Sequence, residues 1–140
     1  MSGTFRSYLQ LMRLKNVLLA AVTVPLGAQF AIGDEWASEQ LAEVVLQILA
    51  VVFFIGAGNT MNDIKDVAID REAHPNRPLA SGAISLDSAN KFVKLLWTLS
   101  IICVVAGAYL LTTSQHSAIE LIAIYVLSLI HISEPTRLST

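Results

Sequence analysis

The chain has 140 residues, 54% hydrophobic and 14% charged, with a mean hydropathy of +0.62, whereas an ordinary soluble domain has about a quarter of its residues charged. Its net charge of -2, with no basic stripe, argues against a nucleic-acid partner, and its single cysteine, Cys103, excludes an intramolecular disulfide. The charges stand in blocks. Uncharged stretches lie between Lys15 and Asp34, between Glu43 and Asp63, and between Lys94 and Glu120, and each can hold the roughly 20 apolar residues that a bilayer span needs. They are apolar nearly all round, not on one face only, so the expected fold class is all-α, a polytopic transmembrane helix bundle.

Helix one is predicted over residues 16–32. The apolar run after Lys15 is too long for the h-region of a cleavable signal peptide, so this segment reads as a retained anchor. Pro25 lies inside it and is expected to bend it or free a carbonyl, which membrane helices tolerate when neighbours re-satisfy the backbone. A short acidic loop follows, with Asp34, Glu35, Glu39 and Glu43 and no base. Helix two is predicted over residues 42–61, and Gly56 and Gly58 near its polar end allow close approach of another helix or a substrate chain. Helix three is predicted over residues 92–113, with Cys103 inside it as a small core hydrophobe. A fourth helix begins near Ala118 but meets His131, Ser133, Glu134 and Pro135 too soon to span, giving three full spans and a truncated fourth. Arg6, Arg13 and Lys15 precede helix one, and Lys65, Arg71, Arg77, Lys91 and Lys94 follow helix two. The positive-inside bias therefore puts the N-terminus and the 62–91 loop in the cytoplasm of a multi-pass cell-membrane protein.

The chemistry gathers where helix two ends. At about 100° per residue, Asn59, Asp63, Asp66 and Asp70 fall within roughly a 60° arc of a continuous helix. Like charges at this spacing repel, so a cation is expected to offset the cost. Mg2+ suits such a stripe because it takes oxygen ligands and bridges one or two carboxylates to substrate phosphates. Asn59 belongs to the apolar run, where a side-chain amide is expensive and marks a functional position. Directly downstream lies His74-Pro75-Asn76-Arg77-Pro78-Leu79-Ala80-Ser81-Gly82, in which Arg77 can fork onto phosphate oxygens. His74 reads as a solvated loop residue, the two prolines as shaping the loop, and Gly82 as supplying a conformation other residues avoid.

These residues resemble the first aspartate-rich motif of the UbiA superfamily of intramembrane prenyltransferases. The motif N-D-x-x-D-x-x-x-D stands as Asn62-Asp63-Ile64-Lys65-Asp66-Val67-Ala68-Ile69-Asp70, led by Gly58-Asn59 and followed by the N-R-P-L-x-S-G element at Asn76 to Gly82. Residues 8–28 resemble the family's first helix, with Arg13-Leu14 where Arg-Pro is common. The resemblance is strongest to archaeal geranylgeranylglycerol-phosphate geranylgeranyltransferases. It implies Mg2+-dependent transfer of a prenyl group from a polyprenyl diphosphate to a lipid acceptor in ether-lipid synthesis. Asp63, Asp66 and Asn59 are then the expected catalytic residues; Asp63, Asp66 and Asp70 the metal ligands; and Arg77, Asn62, Asn16 and Arg13 the contacts to diphosphate or prenyl chain.

A family member also resembles a bundle of more helices with a second aspartate-rich motif, which this sequence lacks. The segment from Leu127 to Arg137 matches the translation of a sequencing-library adapter. Residues 1–126 are accordingly expected to be the N-terminal part of a UbiA-type domain, inactive in isolation, and residues 127–140 a non-native tail. Two other readings compete: another UbiA branch, acting on quinone precursors or chlorophyll, and a non-catalytic adaptor or transporter segment that binds cations at an acidic helix end. A transporter places polar residues near the bilayer midplane, whereas these lie at the end of a helix.

Overall fold

The computed structural model describes residues 2–32 and 38–113, and within them every regular element is a helix. They are α1 (Ser2–Leu11), α2 (Leu14–Ile32), α3 (Ser38–Lys65), α4 (Val67–Ala73) and α5 (Leu86–Thr113). The expected fourth helix and the 127–140 tail fall outside the described residues, as do Asp34 and Glu35 of the acidic loop.

All three predicted helices begin earlier in the structure than the hydropathy pattern suggests. Helix one starts at Leu14, helix two runs 38–65 and takes in Glu39 and Glu43, and helix three starts at Leu86. The reason for the last is local: the Ser85 hydroxyl accepts the Ser88 N–H at 3.1 Å, an N-cap that recruits a polar first turn into the helix. Two helical stretches, Leu41–Lys65 and Leu86–Leu110, are long and apolar enough to cross a membrane; α1 and α2 make a third if they count as one bent span, with 59° between their axes. The helix continues through Pro25.

α3 packs against α5 and α2. Ala50 and Ala57 on α3 are buried, and the Ser100 hydroxyl of α5 donates to the Ala50 carbonyl at 2.9 Å. Small residues let the helix backbones approach and hydrogen-bond, which matters where lipid competes equally well for apolar side chains. Phe54 and Trp97 stack edge to face at 5.0 Å across the same seam. Leu18, Leu19, Val22, Leu26 and Phe30 of α2, and Ile101, Ile102 and Val105 of α5, point outward, as they would toward acyl chains. This is an integral membrane protein.

α1 was not expected, and it sets the shape of the polar end. Tyr8, Leu11 and Met12 recur at the spacing of one helix face, and Leu11 is fully buried with Leu79, Ile84 and Ala89. α1 thus roofs the 74–85 loop, and Tyr8 reaches Phe92 at 4.7 Å. At the break before α2, Arg13 has φ 55°, a left-handed conformation uncommon for a residue with a Cβ. Gly56 of α3 makes room for it: a Cβ there would stand 2.6 Å from Met12 Cε. The close approach anticipated at the glycines is therefore real at Gly56, while a Cβ on Gly58 would meet nothing within 4 Å.

Candidate functional site

The stripe of four oxygen-bearing side chains does not survive as a continuous helix face. α3 ends at Lys65, Asp66 adopts φ -90° and ψ 3°, and α4 begins at Val67. Backbone bonds nevertheless cross the break, from Asp66 N to the Asn62 carbonyl at 2.9 Å and from Asp70 N to the Asp66 carbonyl at 2.8 Å. Helical register is kept closely enough that Asp63 and Asp70 end up near one another. Both are buried, at 4% and 5% exposure, while Asp66 is exposed.

Two arginines from distant parts of the chain meet these carboxylates. Arg77 Nη1 donates to both oxygens of Asp70 at 2.7 Å and lies 3.9 Å from Asp63 Oδ1. Arg13 Nη2 donates to the same Asp63 oxygen at 2.8 Å. The bond to Asp70 is the main reason the Arg77 guanidinium is raised above its ordinary pKa, opposed by partial burial and reinforced by the charges of Asp70, Asp63 and Asp66. Gly82, at φ 77°, turns the loop back. Ile84 N then bonds the Pro78 carbonyl at 3.1 Å, and buried Leu79 and Ile84 anchor the segment carrying Arg77 beneath α1.

Asn59 stands apart from this group. Its amide nitrogen donates to the Met12 carbonyl at 2.8 Å. In a continuous helix that carbonyl would receive the N–H of Asn16, but Asn16 N bonds the Arg13 carbonyl instead, at 2.8 Å. Asn59 thus meets an acceptor that the α1–α2 break releases. Asn62 at the end of α3 and Asn16 in the first turn of α2 are exposed. Of the predicted site residues, then, the fold gathers Arg13, Asp63, Asp70 and Arg77, and leaves Asn16, Asn59, Asn62 and Asp66 outside that cluster.

A cleft of about 510 Å³ opens over the cluster, walled by Arg13, Asp63, Arg77, Pro78, His74 and Gln10. Gln10 and the Met12 carbonyl were not anticipated; the helical spacing of Tyr8, Leu11 and Met12 was the signal that would have found α1. Among the described residues no three His, Cys, Asp or Glu side chains converge as a ready metal site; Asp66, exposed at the break, is near enough for its charge to act on Arg77. The donor set still suits a hard cation. Two buried carboxylates already flank one positive group, the Nη1 of Arg77, and Mg2+ commonly needs only one or two carboxylates beside substrate phosphate.

The UbiA prenyltransferase family profile matches residues 17–132. The digeranylgeranylglyceryl phosphate synthase of Methanocaldococcus jannaschii is 38% identical over 98 residues, covering 69% of this chain and 33% of that protein. The synthase of Saccharolobus solfataricus is 33% identical, covering 85% of this chain and 42% of that protein. A solved structure described for digeranylgeranylglyceryl phosphate synthase in membranes superposes with a TM-score of 0.69 at 33% identity, over 75% of this chain and 36% of that one. The chain spans about a third to two-fifths of the length of the curated relatives it matches. By the extent of the family match, by these relatives and by the shared helical fold, the chain belongs to the UbiA prenyltransferase family.

Proposed function

We propose that a protein of the relatives' length containing this chain transfers a geranylgeranyl group from its diphosphate to a lipid acceptor such as geranylgeranylglyceryl phosphate, in membrane ether-lipid synthesis. The observation that carries this reading is the meeting of Asp63 and Asp70 with Arg13 and Arg77 at one end of an apolar helix group. Asp63 and Asp70, joined by Asp66 from the rim, would hold Mg2+, which when bound supplies positive charge against the departing diphosphate. Arg77 and Arg13 line the cleft and add donors for the oxygens on which charge develops as the allylic carbon–oxygen bond breaks. Asn62, next to Asp63 in sequence, and Asn16, three residues after Arg13, are both exposed and are assigned supporting contacts to diphosphate or prenyl chain. The prenyl tail lies against the apolar surfaces of the spanning helices, where exclusion of water protects the allylic cation until the acceptor hydroxyl attacks it, forming the ether bond and losing its proton to the released diphosphate. Asn59 acts through the Met12 carbonyl and positions Arg13. The positive-inside bias favours a cell-membrane protein with the cleft, the N-terminus and the 62–91 loop on the cytoplasmic side.

The test is prenyl transfer by a protein of the relatives' length, with labelled geranylgeranyl diphosphate and Mg2+. Asp63→Asn or Asp70→Asn is expected to lower turnover by about 100-fold or more, the scale of lost electrostatic stabilisation of a leaving group. Undiminished transfer by both variants would overturn the assignment. Transfer to a quinone precursor in preference to geranylgeranylglyceryl phosphate would move the protein to another branch of the family.

A further inference from the structure

Positive charge beside the two buried carboxylates is supplied in this structure by arginine. Arg77 Nη1 touches both oxygens of Asp70 and lies 3.9 Å from Asp63, whose Oδ1 is bonded at 2.8 Å by Arg13. Exposure is unequal within the pairs: the carboxylates are 6% exposed, and the guanidiniums of Arg13 and Arg77 belong to side chains 39% and 36% exposed. A divalent cation cannot enter the space between Asp63 and Asp70 while Nη1 fills it, and the carboxylates cannot be left bare without a large desolvation cost. Departure of arginine and arrival of metal are therefore one exchange.

We infer that Arg77 is the resident cation of the metal-free site, displaced when a divalent cation binds Asp63 and Asp70, and that this displacement frees its guanidinium to take the diphosphate. The inference rests on the reading of Asp63 and Asp70 as metal ligands given above. Three features support the exchange. Arg77 sits on the 74–85 loop and not within a helix, so its side chain can swing without breaking helical structure. It forms a wall of the open cleft, which leaves room for that movement. The charge balance also changes: Asp63 and Asp70 are matched by Arg13 and Arg77, and a divalent cation leaves the cluster with two net positive charges. With these four groups paired the cleft has no net charge to draw diphosphate and its best anion donor is engaged, whereas with a divalent cation added it attracts diphosphate. Metal precedes or accompanies the anion.

The experiment uses Mn2+ as probe on the full chain in detergent, without prenyl substrate. Mn2+ titration followed by electron paramagnetic resonance is expected to show binding to the unmodified chain and binding about tenfold tighter to Arg77→Gln, which removes the competing charge. A second readout needs no variant: phenylglyoxal labelling of Arg77 should rise when Mn2+ is added and fall again on addition of inorganic diphosphate. Mn2+ binding with Arg77 labelling unchanged or reduced, or affinity for Arg77→Gln no higher than for the unmodified chain, overturns the exchange and leaves the metal-ligand reading standing. Failure of Mn2+ to bind at all overturns both.

Discussion

Removing either partner of the Asp70–Arg77 pair breaks the same bonds, yet the two substitutions should not cost the same. Arg77→Gln leaves the Asp70 carboxylate, 6% exposed, without its cation. Loss of a partner from a buried charge costs about 3–5 kcal/mol, and charge-assisted hydrogen bonds about 1.5–3 kcal/mol. Because Asp70 lies near the cleft and can recover some solvation, about 2–4 kcal/mol is expected. Asp70→Asn instead leaves the guanidinium, whose side chain is 36% exposed and can turn to water, and solvent screening reduces the expected cost to about 1–2 kcal/mol. The double variant should cost less than the sum of the two single ones, since the second change removes a group already without its partner. The assay is equilibrium unfolding of the detergent-solubilised chain in mixed micelles, in the presence of chelator. Equal costs for the single variants, or strict additivity in the double variant, would refute the view that Arg77 neutralises a buried Asp70.

Asn59→Asp cannot donate to the Met12 carbonyl and sets two oxygens against each other, so a loss of about 1–3 kcal/mol is expected; proteolysis or hydrogen exchange at residues 11–14 should report the loosened break. Gly56→Ala meets the flexible end of Met12 and should cost about 1 kcal/mol, an effect that Met12→Ala should partly offset despite its own cost from lost packing. Ser85→Ala removes the cap of α5 and should lower stability by about 1 kcal/mol while leaving Mn2+ binding unchanged, with the first turn of α5 exchanging its amide protons faster.

The apolar helices and the acidic–basic motif were legible because their signals are local. Uncharged runs of the right length identify α2, α3 and α5, and carboxylates spaced by three and four residues before the Asn76-Arg77-Pro78 segment identify the chemistry. Boundaries were less legible, since polar capping at Ser85 extends α5 beyond its apolar stretch. α1 was hidden for a similar reason: its inward face is short and abuts a longer apolar run, so hydropathy merges it with its surroundings.

What only the tertiary structure decided is which charged groups meet. A 3.6-residue period placed Asp66 with Asp63 and Asp70, but in the structure those two are buried against arginine while Asp66, at the break between α3 and α4, is exposed. Asn59 fell on the same stripe, yet its use was set by a carbonyl released 47 residues earlier in the chain. Arg13 reaches Asp63 across 50 residues because Gly56 allows the α1–α2 break to seat against α3. Residue type and spacing determine where charge must be neutralised. Only packing brings up the partner that neutralises it, because a contact between residues far apart in the chain depends on the geometry of everything folded between them.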